Sequence, residues 1–312
     1  MRVSIVGCGY VGLPLGAELV RLDHEVFGLR RNASAENELK AAGIQPLFGD
    51  VTKPETLAKL PREFDWVVNC VAAGLRRAEV ASATQAGGGA EDYRQVYLQG
   101  TRNLIEWLAP NPPKKFVYTS STSVYGQTDG SQVKESSPTE PLVETAKILV
   151  ETEKVLLEND GSRGRSPHQK FPAVVLRVAG IYGPDRGHWF KQFLKNEARM
   201  EGDGSRFLNM IHRDDLIGCI IAALKNGRAG EIYNAVDDEP VSQLHFFQWL
   251  AQALDKPLPP SEPESPGENR KRGVTNKRVS NRRLKTELGY QFKYPNFRKG
   301  YSAELLRLDR AG

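Results

Sequence analysis

The chain has 312 residues, 39% hydrophobic and 26% charged, with a formal net charge of +5, which is the composition of an ordinary globular protein with a full core. Apolar runs fall well short of the ~20 residues of a membrane span, and Cys8, Cys70 and Cys219 are too scattered for a disulfide framework or a zinc site. We therefore expect a cytoplasmic protein with reduced cysteines, no bound metal and no membrane partner.

Short β-branched runs alternate with amphipathic stretches along the first two thirds of the chain. The runs predict strands at 2–6, 25–29, 66–72, 115–120, 173–179 and 231–236. Helical spacing of apolar residues predicts helices at 11–22, 91–108, 141–158 and 214–225. This alternation favours an α/β fold in which helices cover both faces of a parallel sheet.

A glycine-rich turn follows the first predicted strand. The motif G-C-G-Y-V-G, which contains Gly7, Gly9 and Gly12, stands at the start of a predicted helix. This context indicates dinucleotide binding. The first glycine permits the tight turn, the second lets backbone amides approach a pyrophosphate, and the third lets helix and strand pack closely. Tyr10 and Val11 lie inside the turn, where the free N–H groups of the helix would bind phosphate.

The end of the second predicted strand indicates which dinucleotide is bound. NAD sites usually carry Asp or Glu here, ~20 residues after the glycines, to accept a hydrogen bond from the ribose 2′-hydroxyl. This chain has Arg30 and Arg31 instead. Guanidinium groups cannot accept from a hydroxyl but suit a 2′-phosphate, so the sequence predicts NADP in preference to NAD.

Eight stretches, spread over nearly the whole chain, resemble the extended short-chain dehydrogenase/reductases of the NAD-dependent epimerase/dehydratase kind. They are GCGYVG (7–12), FGDVT (48–52), VVNCVAA (67–73), GTRNL (100–104), YTSSTSVYG (118–126), LRVAGIYGP (176–184), NMIHRDDL (209–216) and YNAVDDEPVS (233–242). The resemblance implies a Rossmann-type, doubly wound parallel sheet with a small discontinuous C-terminal substrate domain. The dinucleotide-binding domain would comprise 1–178 plus 212–238, and the substrate-binding region 179–211 plus 239–312.

The resemblance also implies positions for the rest of the cofactor. Asp50 and Val51 would flank the adenine, and Val71, Ala72 and Ala73 would line the ribose and pyrophosphate. The segment from Ala179 to Ile181 would approach the nicotinamide.

Two departures from the family pattern stand out. The first two glycines are separated by one residue instead of two, which resembles an atypical subgroup of the superfamily. Tyr97 stands where an Asn that orients the active-site lysine is common.

In this family a Tyr, followed four residues later by Lys on one helix, transfers the proton. Lysine and the cofactor ribose lower the pKa of the phenol from ~10, which makes it an acid–base group. Aligning Glu153 and the three residues after it with the family's run puts Thr145 at the Tyr position and Leu149 at the Lys position.

A shift of two residues would align Lys147 but place Val143 at the Tyr position. Helical spacing argues against it, because the predicted buried stripe excludes Lys147, which would form an exposed i,i+4 pair with Glu151. The members of that stripe are Ile148, Leu149, Thr152, Val155 and Leu156. The Tyr/Lys pair is therefore predicted to be missing in both registers.

Three residues remain as candidates for catalysis. Ser121 stands at the family's Ser/Thr position beside the substrate carbonyl, and Tyr125 has a phenol, though no lysine is in evidence to activate it. Both lie at the carboxyl end of a strand, where ligands bind in such sheets. Simple turn bonding for Ser121 and a structural or pocket-wall role for Tyr125 are the alternatives. Thr145 would hydrogen-bond a substrate or water.

Two further features carry charge. The stretch 270–285 contains eight basic residues and no acidic one, so it is either a solvated surface or the rim of a cleft for an anionic ligand. Nucleic acid is a poorer fit because aromatic residues are not interleaved with these charges. After His212, Asp214 or Asp215 is expected to cap a helix.

The sequence therefore predicts an NADP-binding epimerase- or reductase-like protein acting on a sugar nucleotide or another anionic small molecule. The alternative is a cofactor-holding sensor or scaffold without turnover. A homodimer is left open.

Overall fold

The computed structural model of the chain describes residues 1–73, 89–158, 171–263 and 275–309. It divides the chain into two compact units. The first unit comprises 1–120, 143–176 and 223–232, and the second comprises 121–142, 177–222 and 233–312. Several stretches expected in the dinucleotide-binding domain group with the second unit instead, namely 121–142, 177–178, 212–222 and 233–238.

The central element is a seven-stranded parallel sheet flanked by helices, as expected for a Rossmann-type α/β fold. The strands are β1 Arg2–Val6, β2 Glu25–Arg30, β3 Gln45–Phe48, β4 Trp66–Asn69, β5 Lys115–Ser121, β6 Gln132–Val133, β7 Ala173–Val178, β8 Gly180–Tyr182, β9 Met200–Glu201, β10 Phe207–Leu208, β11 Met210–His212, β12 Ile232–Ala235, β13 Val241–Ser242, β14 Ser261–Glu262 and β15 Arg278–Val279. The order in the large sheet is β12-β7-β5-β4-β1-β2-β3, and the remaining strands form two-stranded pairs.

The helices connect these strands. They are α1 Gly12–Arg21, α2 Glu36–Ala41, α3 Pro54–Leu57, α4 Ala90–Tyr93, α5 Gly100–Leu108, α6 Glu144–Leu157, α7 His188–Leu194, α8 Arg213–Asn226, α9 Gln243–Leu254, α10 Arg282–Leu288 and α11 Phe297–Asp309, and Arg94–Gln99 forms a π-helical stretch between α4 and α5. Within the described ranges, no helix combines the length and apolar character needed to cross a bilayer.

Each unit has its own hydrophobic core. In the first unit the apolar strands of the sheet pack against α5, where Leu104, Trp107 and Leu108 are buried. In the second unit an aromatic cluster surrounds Tyr301, whose ring stacks on Tyr182 at 4.4 Å between centroids. Separate cores satisfy the packing requirement for an independently compact unit.

The register of the sheet determines what meets at its carboxyl edge. Val6 of β1 is paired with Leu29 of β2 on one side and with Asn69 of β4 on the other. Because parallel strands end at the same edge, the glycine turn after β1 lies between Arg30 and the residues that follow Asn69.

Candidate functional site

The glycine turn has two positions closed by packing and one that is open. Gly7 has φ +86°, and a Cβ there would lie 2.7 Å from the amide nitrogen of Val71. A Cβ on Gly12 would lie 2.6 Å from the Gly7 carbonyl oxygen. No described atom lies within 4 Å of a Cβ built on Gly9. The first and third glycines are thus needed by the fold, whereas Gly9 leaves a space that a ligand phosphate can approach.

The helix that follows the turn presents its N-terminus without a side-chain cap. The α1 helix begins at Gly12 after Val11, and among the described residues no side chain caps it and no acidic residue lies in its first turn. Its first amides and its dipole therefore suit an anion. Tyr10 and Val11 lie in this turn, as predicted.

Arg30 lies at the carboxyl end of β2, against the glycine turn. Its Nη1 donates a hydrogen bond to the carbonyl oxygen of Cys8, and the Glu38 carboxylate lies 3.6 Å away. Arg31, by contrast, is exposed. The turn thus holds the Arg30 guanidinium at the carboxyl end of β2, and Glu38 partly offsets its charge.

Asp50 and Val51 form a pre-built turn after β3. The Asp50 carboxylate accepts hydrogen bonds from the Thr52 amide at 3.0 Å and from the Thr52 hydroxyl at 2.9 Å. The Val51 carbonyl accepts from the buried Asn103 amide group at 2.7 Å. These bonds fix the backbone of the segment, in which Asp50 is half-buried and Val51 is buried in the core of the first unit. The adenine role stays a prediction.

The residues after β4 are held by two side chains. The Val71 amide donates to Asn69 Oδ1 at 3.2 Å, and the Ala73 amide donates to the hydroxyl of Tyr97 at 3.2 Å. Tyr97 therefore fixes the loop of the predicted ribose site, and the Ala73 amide is committed to that contact. Ala72 lies between these two anchors.

The α6 helix buries much of the predicted stripe. Ile148, Leu149 and Leu156 are buried, Thr145 and Val155 are half-buried, and Lys147 is exposed, as predicted from its spacing. The predicted ion pair between Lys147 and Glu151 is wrong. Glu151 pairs instead with Arg94 at 3.2 Å and with Arg102 at 3.4 Å. Two guanidinium groups from the neighbouring helical segment outcompete the flexible lysine.

Replacing Lys147 with alanine is expected to leave cofactor binding and any turnover almost unchanged. The side chain is exposed, and surface substitutions of this kind change the free energy of unfolding by less than about 0.5 kcal/mol. Steady-state rates and thermal unfolding measure both effects. A hundredfold loss of activity would show that Lys147 points into the site.

Sequence reasoning missed a buried carboxylate on the same helix. Glu153 is 3% exposed, and its Oε1 accepts a hydrogen bond of 2.6 Å from the Ser120 hydroxyl at the end of β5. The bond ties α6 to the carboxyl end of the strand that carries Ser121. Glu153 was not placed in the buried stripe because a charged residue is seldom buried unless it is paired.

Ser121 performs the turn bonding that was its alternative role. Its Oγ accepts a hydrogen bond from the Ser123 amide at 3.2 Å and caps the short 3₁₀ turn Thr122–Val124. The residue is half-exposed. Its hydroxyl proton is not used in this bond and remains able to donate to a ligand oxygen.

Tyr125 is fully buried, and its hydroxyl is engaged on both sides. It donates to Asn234 Oδ1 at 2.8 Å and accepts from Arg177 Nη1 at 2.9 Å, and burial raises the pKa of the phenol. A proton held in such a network is poorly placed for transfer to a substrate. The geometry favours the structural or pocket-wall role that the sequence left open for Tyr125.

A lysine nevertheless lies close to Tyr125. Lys277 is 4% exposed and its Nζ donates to the backbone carbonyl of Tyr125 at 2.8 Å, not to the phenol. Burial, followed by the charge of Arg206, lowers the pKa of its ammonium group to about 8. This residue belongs to the basic stretch 270–285, of which residues 270–274 lie outside the described part.

The pKa of Lys277 gives the second unit a pH-dependent stability. Between about pH 8 and 10.5 the unfolded chain binds a proton at this site that the folded chain has lost, so stability rises with pH across that window. Lys277→Met is expected to abolish this rise. Urea unfolding of both proteins across the window measures it, and parallel pH dependences would contradict the assignment.

The segment expected near the nicotinamide follows β7. Ala179 is 6% exposed and its amide donates to the Ala235 carbonyl at 3.0 Å. Ile181 lies in β8, paired with Ile211 of β11. Both positions are therefore fixed by backbone pairing, and Ile181 is half-buried.

The start of α8 differs from the prediction. The group that accepts from a first-turn amide is the ring of His212, whose Nδ1 accepts from the Asp214 amide at 3.2 Å. The Asp215 carboxylate instead accepts from the Tyr290 hydroxyl and the Lys293 amide, each at 2.7 Å. Burial lowers the pKa of His212, which favours the neutral ring. No cluster of three His, Cys, Asp or Glu suited to a metal ion occurs among the described residues.

Comparison with known proteins identifies the family of the chain. Residues 3–235 match the NAD dependent epimerase/dehydratase family, so the chain belongs to that family. Protein YeeZ of Escherichia coli (strain K12) is 27% identical over 297 residues, covering 95% of this chain and 97% of YeeZ.

Solved structures share the fold over nearly the full length. The structure of a putative NAD-dependent epimerase/dehydratase from Methylobacillus flagellatus is 29% identical with a TM-score of 0.73, covering 99% of this chain and 98% of that one. UDP-glucuronic acid 4-epimerase from Bacillus cereus, in complex with UDP-glucuronic acid and NAD, has a TM-score of 0.77 over 100% of both chains, and at 22% identity it shows the fold alone.

Proposed function

We propose that the chain binds NADP at the glycine turn and is an atypical oxidoreductase or epimerase acting on an anionic small molecule. The observation that carries the proposal is the open space at Gly9 beside an Arg30 held against the Cys8 carbonyl. The space at Gly9 has room for a phosphate of the pyrophosphate. The Arg30 guanidinium is suited to bind a 2′-phosphate.

Each part of the cofactor has residues of this chain to hold it. The amides from Gly9 to Gly12 would bind the pyrophosphate, Arg30 and Arg31 the 2′-phosphate, and Asp50 with Val51 the adenine. The ribose would lie against Val71–Ala73, and the nicotinamide would lie against Ala179–Ile181. The nicotinamide supplies hydride transfer when bound. The chain's own task is to orient the substrate and to move a proton.

Proton transfer is the step in which this chain differs from the family pattern. No tyrosine of the sequence is followed by a lysine four residues later. Thr145 has a hydroxyl that stays neutral and orients a group without carrying its proton. Ser121 donates its hydroxyl proton to the reacting carbonyl as an oriented hydrogen bond. Without a lysine-activated phenol, turnover is expected to be slower by roughly 10²–10⁴.

Turnover is expected to depend on Ser121. Ser121→Ala removes a donor to the developing oxyanion, which costs about 2–4 kcal/mol in kcat/KM. Thr145→Val should cost much less, and Tyr125→Phe should lower stability through its lost bonds to Asn234 and Arg177. Steady-state rates of the three variants, each with NADP binding checked, measure this. Loss of activity in Thr145→Val together with retained activity in Ser121→Ala would contradict the dependence on Ser121.

The second candidate function is an NADP-binding sensor or scaffold without turnover. The buried and doubly bonded hydroxyl of Tyr125 favours it, because this removes a candidate acid. Absorbance of the reduced nicotinamide detects an oxidoreductase, and chromatography of the substrate detects an epimerase, which regenerates its cofactor and so leaves no net absorbance change. A change in either readout with any substrate supports the enzyme, and none across sugar nucleotides and small organic acids supports the sensor.

A further inference from the structure

The second unit contains a buried ammonium group that has no carboxylate partner among the described residues. Lys277 is 4% exposed and donates to the Tyr125 carbonyl, which satisfies one of its three N–H donors. Among the described residues, the charged group that acts on it is another cation, Arg206. Burying a charge in this way costs several kcal/mol unless an opposite charge compensates it.

Hydrogen bonds between side chains and backbone hold the segment of Arg206 beside that of Lys277. Arg206 Nε donates to the Thr275 carbonyl at 3.1 Å, the Phe207 amide to Asn276 Oδ1 at 3.0 Å, and Asn209 Nδ2 to the Lys277 carbonyl at 2.9 Å. The stretch 206–209 thus runs beside 275–277. Two cations are held together by the fold, although their mutual repulsion opposes it.

Neighbouring basic residues do find partners. Arg283 pairs with Glu287 at 2.7 Å, and Lys285 pairs with Asp238 at 2.9 Å. Arg278 donates to the Gly130 carbonyl and lies over the Phe207 ring. Arg278 and Arg282 have no described carboxylate partner either, but both are exposed to solvent. Lys277 differs from them because it is buried, and an anion from outside the chain would supply the missing compensation.

The local charge indicates which anion fits. Glu201 pairs with Arg206 Nη1 at 2.8 Å, so that guanidinium already has a carboxylate partner. Among the described residues the buried Lys277 ammonium has none, and its single positive charge matches one carboxylate better than a diphosphate, which carries two negative charges. The Arg206 side chain is 27% exposed, so the group opens to solvent on that side.

We propose that Lys277 and Arg206 form a subsite for a carboxylate, and that the substrate is a carboxylate-bearing small molecule instead of a nucleoside diphosphate sugar. This assignment rests on the proposed function, since it names the substrate class of that enzyme. It also explains why the fold retains an uncompensated buried lysine: the ligand removes the penalty when it binds.

The test compares thermal unfolding of the full chain, saturated with NADP at pH 7, in sodium acetate and in sodium chloride of equal ionic strength. Acetate is expected to raise the midpoint by several degrees over chloride, because a ligand that binds only the folded state stabilises it. The increment should vanish in Lys277→Met and in Arg206→Gln. Lys285→Gln, a basic residue of the same stretch with its own carboxylate, is the matched control and should keep it.

Equal midpoints in acetate and chloride overturn the subsite, as does an increment that survives both Lys277→Met and Arg206→Gln. A stabilisation by UDP-glucose that depends on Lys277 and exceeds that of acetate overturns the carboxylate assignment. NADP alone is titrated first. If the chain does not bind NADP but acetate still raises its unfolding midpoint in a Lys277-dependent way, the proposed function is contradicted. The subsite is then still supported.

Discussion

Arg30→Ala is expected to weaken NADP binding about 10- to 100-fold and to leave NAD binding nearly unchanged. Hydrogen bonds to a charged group contribute about 1.5–3 kcal/mol each, and the 2′-phosphate that would accept them is present only in NADP. Isothermal titration of both cofactors measures the difference. The wild-type chain should bind NADP more tightly than NAD.

Matched variants separate recognition from damage to the turn. Arg30 also donates to the Cys8 carbonyl, so a general disturbance would weaken NAD and NADP alike. Arg31→Ala, at an exposed position, should cause a smaller loss. Glu38→Gln should strengthen NADP binding, because it removes a negative charge 3.6 Å from the Arg30 guanidinium. Equal affinity of the wild-type chain for both cofactors would contradict the assignment.

Gly9→Ala is expected to leave the fold intact and to weaken cofactor binding strongly. No described atom lies within 4 Å of the added methyl group, so the free energy of unfolding should barely change. The methyl group would occupy the space through which a pyrophosphate approaches the amides. Calorimetric titration with NADP and NAD should show a loss of at least about tenfold for both, since each bond to a charged phosphate contributes about 1.5–3 kcal/mol.

Gly7→Ala is the contrasting variant and should destabilise the first unit itself. A left-handed backbone costs a non-glycine residue about 1–2 kcal/mol, and the new Cβ would also overlap the Val71 backbone at 2.7 Å. Urea unfolding of the two variants gives the comparison. Normal NADP affinity in Gly9→Ala would show that the cofactor does not approach this turn.

Sequence patterns predicted six of the seven strands of the large sheet, including the edge strand β12, and missed the other edge strand, β3. Continuous apolar runs such as 173–179 have few interpretations other than a buried strand. The β3 strand went unpredicted because Gln45–Phe48 is short, contains Pro46 and is at most half-buried at the sheet edge. Strand β4 ends at Asn69, earlier than predicted, where the side chain of that residue accepts from the Val71 amide and turns the chain.

In the candidate site, too, local features could be predicted from the sequence and long-range contacts could not. The glycine turn and Arg30 could be proposed as candidates because their chemistry depends on neighbours in sequence. The burial of Lys277 was not, because its contact with the Tyr125 carbonyl spans 152 residues. The partners of Tyr125 are likewise distant, so sequence alone left its role open between proton donor and structural group.

A crystal structure of the chain soaked with NADP tests the central claim most directly. We expect density for the pyrophosphate at the amides from Gly9 to Gly12 and for the 2′-phosphate within hydrogen-bond distance of the Arg30 guanidinium. NADP bound elsewhere, or a 2′-phosphate turned away from Arg30, would contradict it.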